Sequence, residues 1–300
     1  VTLATRYLGF DLPHPLMPGA GPWLRDPDQV RRLEDAGASA IVLPSLFEEE
    51  LQGKADEYLE HIARARQAVS VPVIASLNGV TVGGWLEYAR QIESAGAQAL
   101  ELNVYRLVTD PYETAEAVER KIRDMLIRLQ GALGIPLAVK LSPFHTSLAH
   151  FAHRLDEAGV GGLVLFNRFY QPDLDPEAMT VVGQLRLSDS SELLLRVRWL
   201  AILTSTFGRS LACSGGVHTV DDALKAVLAG AHAIQMVSAL LQHGAERLGE
   251  VLEGMSRWLE RHGFDSLEQL RGRLALTSCP DPGAFERAQY LEILGRWEEE

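Results

Sequence analysis

One phrase recurs four times along the chain and fixes most of what it can become. It reads Asp35-Ala-Gly-Ala-Ser-Ala-Ile-Val-Leu43, then Ser94-Ala-Gly-Ala-Gln-Ala-Leu-Glu-Leu102. It returns as Glu157-Ala-Gly-Val-Gly-Gly-Leu-Val-Leu165 and as Leu228-Ala-Gly-Ala-His-Ala-Ile-Gln-Met236. Each copy is a helix end, a glycine, a few small residues and an apolar strand. Gly37, Gly96, Gly159 and Gly230 suit the left-handed position that stops a helix. The short apolar runs after them suit strands covered on both faces, as in a parallel sheet.

Proline introduces two further strands, Val71-Pro72 through Leu77 and Ile135-Pro136 through Leu141, while Pro15–Pro18 and Ser210–Cys213 supply two more. Helical patterns over Asp28–Ala36, Trp85–Ala95, Ala115–Ala132, Ser147–Ala158 and Val220–Leu228 lie between them. Strict alternation to about eight units predicts a (β/α)8 TIM barrel. An open doubly wound sheet is the alternative, but it calls for GxGxxG after the first strand, and Gly19-Ala20-Gly21-Pro22 is not that. Arg168–Leu195 is turn-rich and is expected to form a small excursion at the barrel mouth. The remainder reads as a C-terminal helical extension over 251–300, including a helix over Gly283–Glu298, within a single domain over 1–300.

A chain of 300 residues, 47% of them hydrophobic, can bury a core of this size. A formal net charge of −12 argues against nucleic acid and anionic membrane surfaces as partners. No apolar run reaches the roughly 18 residues of a membrane span. Val1–Arg6 lacks the pattern of a secretory signal, and Cys213 and Cys279 belong to no CxxC pair. A reduced, cytoplasmic enzyme with no metal site is expected.

Barrel chemistry gathers at the C-terminal strand ends. The last two strands run into Cys213-Ser214-Gly215-Gly216-Val217 and Gln235-Met236-Val237-Ser238-Ala239, a pair suited to a phosphate. Ala20 and Gly21 leave room for a flat ligand after the first strand. Ser45, Asn78, Asn103 and Asn167 end four others, where amides can read a planar heterocycle. Lys140 sits inside an apolar strand, where a lysine is costly unless it pairs with an anion or does chemistry. It reads as a cation facing an electron-rich ring, as a Schiff-base amine on a phosphorylated substrate, or as a strand-end lysine reaching solvent. Glu101 shares the face of Asn103 and is a candidate partner for it.

These stretches resemble the dihydroorotate dehydrogenase family of FMN-dependent barrels, and most closely its dihydroorotate dehydrogenase-like subgroup. The likeness lies in Glu101-Leu-Asn103, Val139-Lys140-Leu-Ser-Pro143, Asp175-Pro-Glu-Ala178, Ser214-Gly-Gly-Val217, Gln235 through Leu240, Ala75 through Gly79 and Leu165 through Pro172. The resemblance implies an FMN-dependent oxidoreductase converting dihydroorotate to orotate, in pyrimidine biosynthesis, or acting on a related CH–CH substrate, as a homodimer. It implies that Ala20 and Gly21 pass against the isoalloxazine, that Ser45 and Asn103 bond to the flavin, and that Lys140 balances the reduced ring. Gly215, Gly216 and Ser238 would hold the phosphate, and Asn78 and Asn167 would face the substrate. The family's catalytic cysteine or serine, a few residues after the fourth-strand asparagine, falls on Arg106, which accepts no proton. A flavin-contacting lysine falls on Pro44. Tyr105 and Thr109 are then the candidate acid–base residues, and Arg106 suits an anionic substrate. A flavin-binding protein without catalysis is the other reading of this pattern.

Overall fold

The structure is a computed structural model that describes residues 1–79, 85–168, 171–285, 290 and 293–295. A hairpin, β1 (Thr5–Tyr7) and β2 (Phe10–Leu12), precedes the first barrel strand, β3 (Leu16–Pro18). There follow α1 (Pro27–Asp35), β4 (Ile41–Phe47), α2 (Leu51–Ala68), β5 (Val73–Asn78), α3 (Trp85–Ser94) and β6 (Ala99–Asn103). Next come α4 (Ala115–Ala132), β7 (Leu137–Leu141), α5 (Leu148–Glu157) and β8 (Gly162–Leu165). A second hairpin, β9 (Asp173–Asp175) and β10 (Thr180–Val182), interrupts the alternation. The chain then runs through α6 (Leu193–Leu203), β11 (Ser210–Ser214), α7 (Val220–Leu228), β12 (Ala233–Met236), α8 (Ser238–His243) and α9 (Arg247–Arg261).

Eight strands form one parallel sheet in the order β4-β5-β6-β7-β8-β11-β12-β3. The amide and hydroxyl of Ser39 both donate to the carbonyl of Leu16, which draws the entry of β4 onto β3 and brings the ring to closure. The fold is a (β/α)8 barrel. Each copy of the repeated phrase has one geometry. Gly37, Gly96, Gly159 and Gly230 all have φ between 85° and 114°. The amide of the following residue reaches back five residues, as Ala38 to Leu33 and Ala231 to Ala226, both at 2.9 Å. This is the Schellman stop, which turns each helix directly into a strand.

Outward strand residues such as Leu43, Leu77, Leu102 and Leu141 are fully buried under the helices. Four inward residues at the barrel floor are alanines, Ala99, Ala138, Ala212 and Ala233, and Tyr7, Leu8 and Leu12 of the first hairpin pack into the same cluster. The hairpin is pinned by Thr5 Oγ1 donating to the carbonyl of His232 at 2.8 Å and by the Leu8 amide donating to Ser210 Oγ at 3.0 Å. The floor of the barrel is thus plugged, and the barrel interior opens at its strand-end mouth.

One ladder is broken. The β4–β5 register shifts between Val42 and Ser45, around Pro44, which has no amide to give. Tyr58 of α2 fills the gap: its hydroxyl accepts from the Ser76 amide at 2.8 Å and donates to the Ser76 carbonyl at 2.9 Å.

Two expected boundaries move. Helix α6 starts at Leu193, so the mouth excursion is shorter than Arg168–Leu195, and the C-terminal helical region starts at Arg247 rather than 251. Most of the helix expected over 283–298 lies outside the described residues, and its described start is a single 3-10 turn, Pro282–Phe285. Among the described residues no helix is long and apolar enough to cross a membrane.

Candidate active site

The register of three adjacent strands sets a polar row across the barrel. Asn78 pairs with Asn103, and Asn103 with Lys140, so their side chains stand side by side on the inner face. One layer below, the hydroxyls of Ser45 and Ser76 meet at 2.7 Å. Lys140, Glu101 and Gln235 are 6%, 1% and 0% exposed. Lys140 Nζ donates to Gln235 Oε1 at 3.0 Å and lies 3.4 Å from Glu101 Oε1, while Gln235 Nε2 donates to Glu101 Oε2 at 2.5 Å. The expected Glu101–Lys140 bridge is present, and Gln235 locks it from the far side of the barrel. Both oxygens offered to Lys140 suit a cation, and its third donor is left for a ligand. Beneath this triad lies the Tyr7 hydroxyl, pushed well up in pKa by burial and then by the charge of Glu101.

Above the triad opens a cavity of about 360 Å³. Eight of the residues singled out from sequence line it: Ala20, Gly21, Ser45, Asn78, Asn103, Tyr105, Lys140 and Asn167. Asn103 is 6% exposed, and its Oδ1 has no hydrogen-bond partner among the described residues. A buried amide oxygen without a donor is costly, which marks the position where a ligand N–H belongs. Arg25 and Arg168 add two cations to the wall. Neither they nor Gln235 stood out in the sequence. Arg25 sits in a short turn without a strand signal, and Gln235 was read only as part of the phosphate limb.

The limb itself is a second cluster, joined to the first through the pairing of Ser214 with Gln235. Gly215 and Gly216 both have positive φ, at 92° and 80°. A Cβ on Gly216 would lie 2.4 Å from the Leu193 amide nitrogen, so the glycine is required by the close approach of α6. Among the described residues the Gly215 and Gly216 amides have no protein acceptor and remain available to an anion. Ser238 Oγ accepts from the Ser188 amide at 3.0 Å, which leaves its own proton to donate. Ser188 Oγ meets His218 Nε2 at 3.1 Å, and Asp222 receives Ser190 Oγ at 2.6 Å and the Thr219 and His218 amides at 3.0 and 3.1 Å. Arg196 braces the limb from below, donating to the carbonyls of Ser214 and Glu192. Cys213 faces the helix layer, its thiol pushed up to about 12 by burial, and is no nucleophile.

Two of the expected residues, Arg106 and Thr109, lie outside the cavity lining. Arg106 points away from the cavity: it forks onto Glu113 with bonds of 3.0 and 2.7 Å, and Lys121 takes the same carboxylate at 2.7 Å. Thr109 is exposed and lines no part of the cavity, whereas Tyr105 does. Gly21 lines the cavity, and a Cβ there would lie 1.8 Å from the Trp23 ring, so packing also requires the glycine.

A (β/α)8 barrel with a buried cation at its axis, an unsatisfied amide oxygen and a turn of free amides places a polar cavity at the strand ends, where barrel enzymes act. The family model described as Dihydroorotate dehydrogenase matches residues 47–259, and the chain belongs to that family. Among its relatives, a "Putative dihydroorotate dehydrogenase A (fumarate)" of Aeropyrum pernix is 30% identical over 70% of each chain. A "Dihydroorotate dehydrogenase B (NAD(+)), catalytic subunit" of Thermoplasma acidophilum is 24% identical over 90% of this chain and 98% of its own. The same enzyme of Bacillus pumilus is 26% identical over 81% and 78%. The chain is a dihydroorotate dehydrogenase-like oxidoreductase.

Proposed function

We propose that this protein binds FMN and oxidises a CH–CH bond of dihydroorotate or a closely related small anionic substrate. The observation that carries this reading is the row Asn78–Asn103–Lys140 above the Glu101–Gln235 clamp, with the Asn103 oxygen buried and unsatisfied. A flavin ring carries N–H and C=O groups along one edge, and this row offers an acceptor and a cation to such an edge.

When bound, FMN supplies the two-electron chemistry. Lys140, held by Gln235 and Glu101, keeps positive charge at the ring's polar edge, where it favours the reduced form. Asn103 Oδ1 would accept a hydrogen bond from the ring, and Ala20 would leave room for it. The Gly215 and Gly216 amides and the Ser238 hydroxyl donate to the phosphate. Asn78 and Asn167 face the substrate, with Arg25 and Arg168 favouring an anionic one. Proton removal falls to Tyr105, the loop hydroxyl that lines the cavity. By the same family likeness, the protein works as a homodimer in pyrimidine biosynthesis.

The test is anaerobic. Protein loaded with FMN is mixed with dihydroorotate and, separately, with dithionite, and the flavin absorbance is followed. Bleaching by dihydroorotate, lost in Tyr105→Phe, is the expected result. Bleaching by dithionite alone removes dihydroorotate as the substrate, and a protein that takes up no FMN overturns the reading.

A further inference from the structure

Behind the broken β4–β5 ladder lies a second cavity that the redox site does not explain. Helix α2 carries Lys54, Glu57, Tyr58, His61 and Arg64 at three- and four-residue spacing, so they form one stripe. With Arg25, at the end of the 3-10 turn Pro22–Arg25, they line this cavity, and Pro44–Ser45 of β4 forms its inner wall. Arg25, Pro44 and Ser45 line both this cavity and the strand-end one, so the two stand back to back across the bulge.

His61 lies 5% exposed, and neither of its ring nitrogens reaches hydrogen-bond geometry with any described residue. The Leu24 carbonyl is close enough to favour a charged ring, but burial is the larger effect and holds the pKa below its ordinary value. A buried imidazole whose nitrogens lack well-formed hydrogen bonds is costly, so a partner is called for. The charges around it select the partner's sign. Lys54 is tied to Glu50, while Arg25 and Arg64 have no carboxylate within 4 Å among the described residues. Glu57 is the one acid lining the cavity, against three cations, in a chain whose net charge is −12.

We propose that this cavity binds a small oxyanion, a phosphate or carboxylate group, with the His61 ring N–H donating from its floor and Arg25 and Arg64 closing over it. The site is separate from the Gly215–Gly216 limb and does not depend on the redox reading. Its occupant lies across Pro44–Ser45 from the strand-end cavity, so its charge is felt there.

The test is an NMR titration of the full chain at constant ionic strength, following the His61 ring resonances with inorganic phosphate and, separately, with acetate. Phosphate captured by the Gly215–Gly216 limb does not register at His61, so the readout is local. A saturable shift with phosphate, with acetate or with both is expected. Arg64→Ala, an exposed helix position, should weaken it about tenfold. Phosphate alone identifies a phosphoryl group as the ligand, acetate alone a carboxylate, and both the shared oxyanion chemistry. A His61 signal unmoved by either anion, or a shift unaltered by Arg64→Ala, overturns the proposal and leaves water as the partner of His61.

Discussion

The two sides of the barrel mouth follow different rules. On the side of β7, β11 and β12, polar groups are buried and interlocked, with Lys140, Gln235 and Glu101 clamped together and Gly216 pressed against the start of α6. On the far side of Asn103, the loop after β6 keeps its charges in water and pairs them with each other, as Arg106 and Lys121 do on Glu113. A buried network fails when one member is removed, whereas an exposed one adjusts. The difference teaches which part of the mouth is fixed by packing: the part that would grip a ring and phosphate is over-determined, and the part that would reach a substrate is held by exposed pairs.

That contrast can be broken at four points. The largest effect is expected from Lys140→Met, which leaves Glu101 as an uncompensated buried carboxylate and should cost roughly 3–5 kcal/mol in a denaturant titration. Adding Glu101→Gln should recover part of the loss, and a cost near zero for the single change would mean the clamp is not closed in solution. Gly216→Ala comes next. Its Cβ meets the Leu193 backbone in a left-handed conformation, and a loss of about 2 kcal/mol with faster amide exchange at Leu193 is expected.

Mild acid should then separate the two sides. Burial holds His218 below its ordinary 6.5, against the raising pull of Asp222 and Asp189. A depressed histidine gives stability that is complete above 6.5 and is lost as pH falls from there toward its folded value. Glu113 is depressed below 4.5 by Lys121 and Arg106, so its pairing should persist until pH falls below that value. Amide exchange at Ser188 should therefore rise between these two limits while the Arg106–Glu113 loop stays protected. The reverse order would refute the contrast. The smallest effect belongs to Arg106→Ala, which removes an exposed ion pair and should leave both stability and cofactor affinity nearly unchanged. A large loss of affinity there would put Arg106 back in the site.

Much of this was legible in the sequence. The four Ala-Gly phrases announced helix stops and strands, because a left-handed glycine after a helix has few other uses. Lys140 stood out because nothing else in Leu137–Leu141 is charged, and its link to Glu101 followed from strand alternation. What stayed hidden depends on long-range packing. The first hairpin has only three residues per strand, and its role as the barrel's plug shows only beside the inward alanines. Leu193–Leu203 is apolar on nearly all sides and gives no clean helical stripe, so the sequence suggests a helix only from Trp199 onward while α6 starts at Leu193. The Glu113 that removes Arg106 from the mouth lies seven residues away through an irregular loop, where spacing says nothing about contact.

The central claim is that the clamped side of the mouth is a working FMN site. Equilibrium titration of the apo-protein with FMN, read by quenching of flavin fluorescence, tests it most directly. The account predicts saturation at one FMN per chain, abolished by Lys140→Met and untouched by Arg106→Ala. A protein that leaves FMN fluorescence unquenched, or that binds it equally well without Lys140, would contradict it.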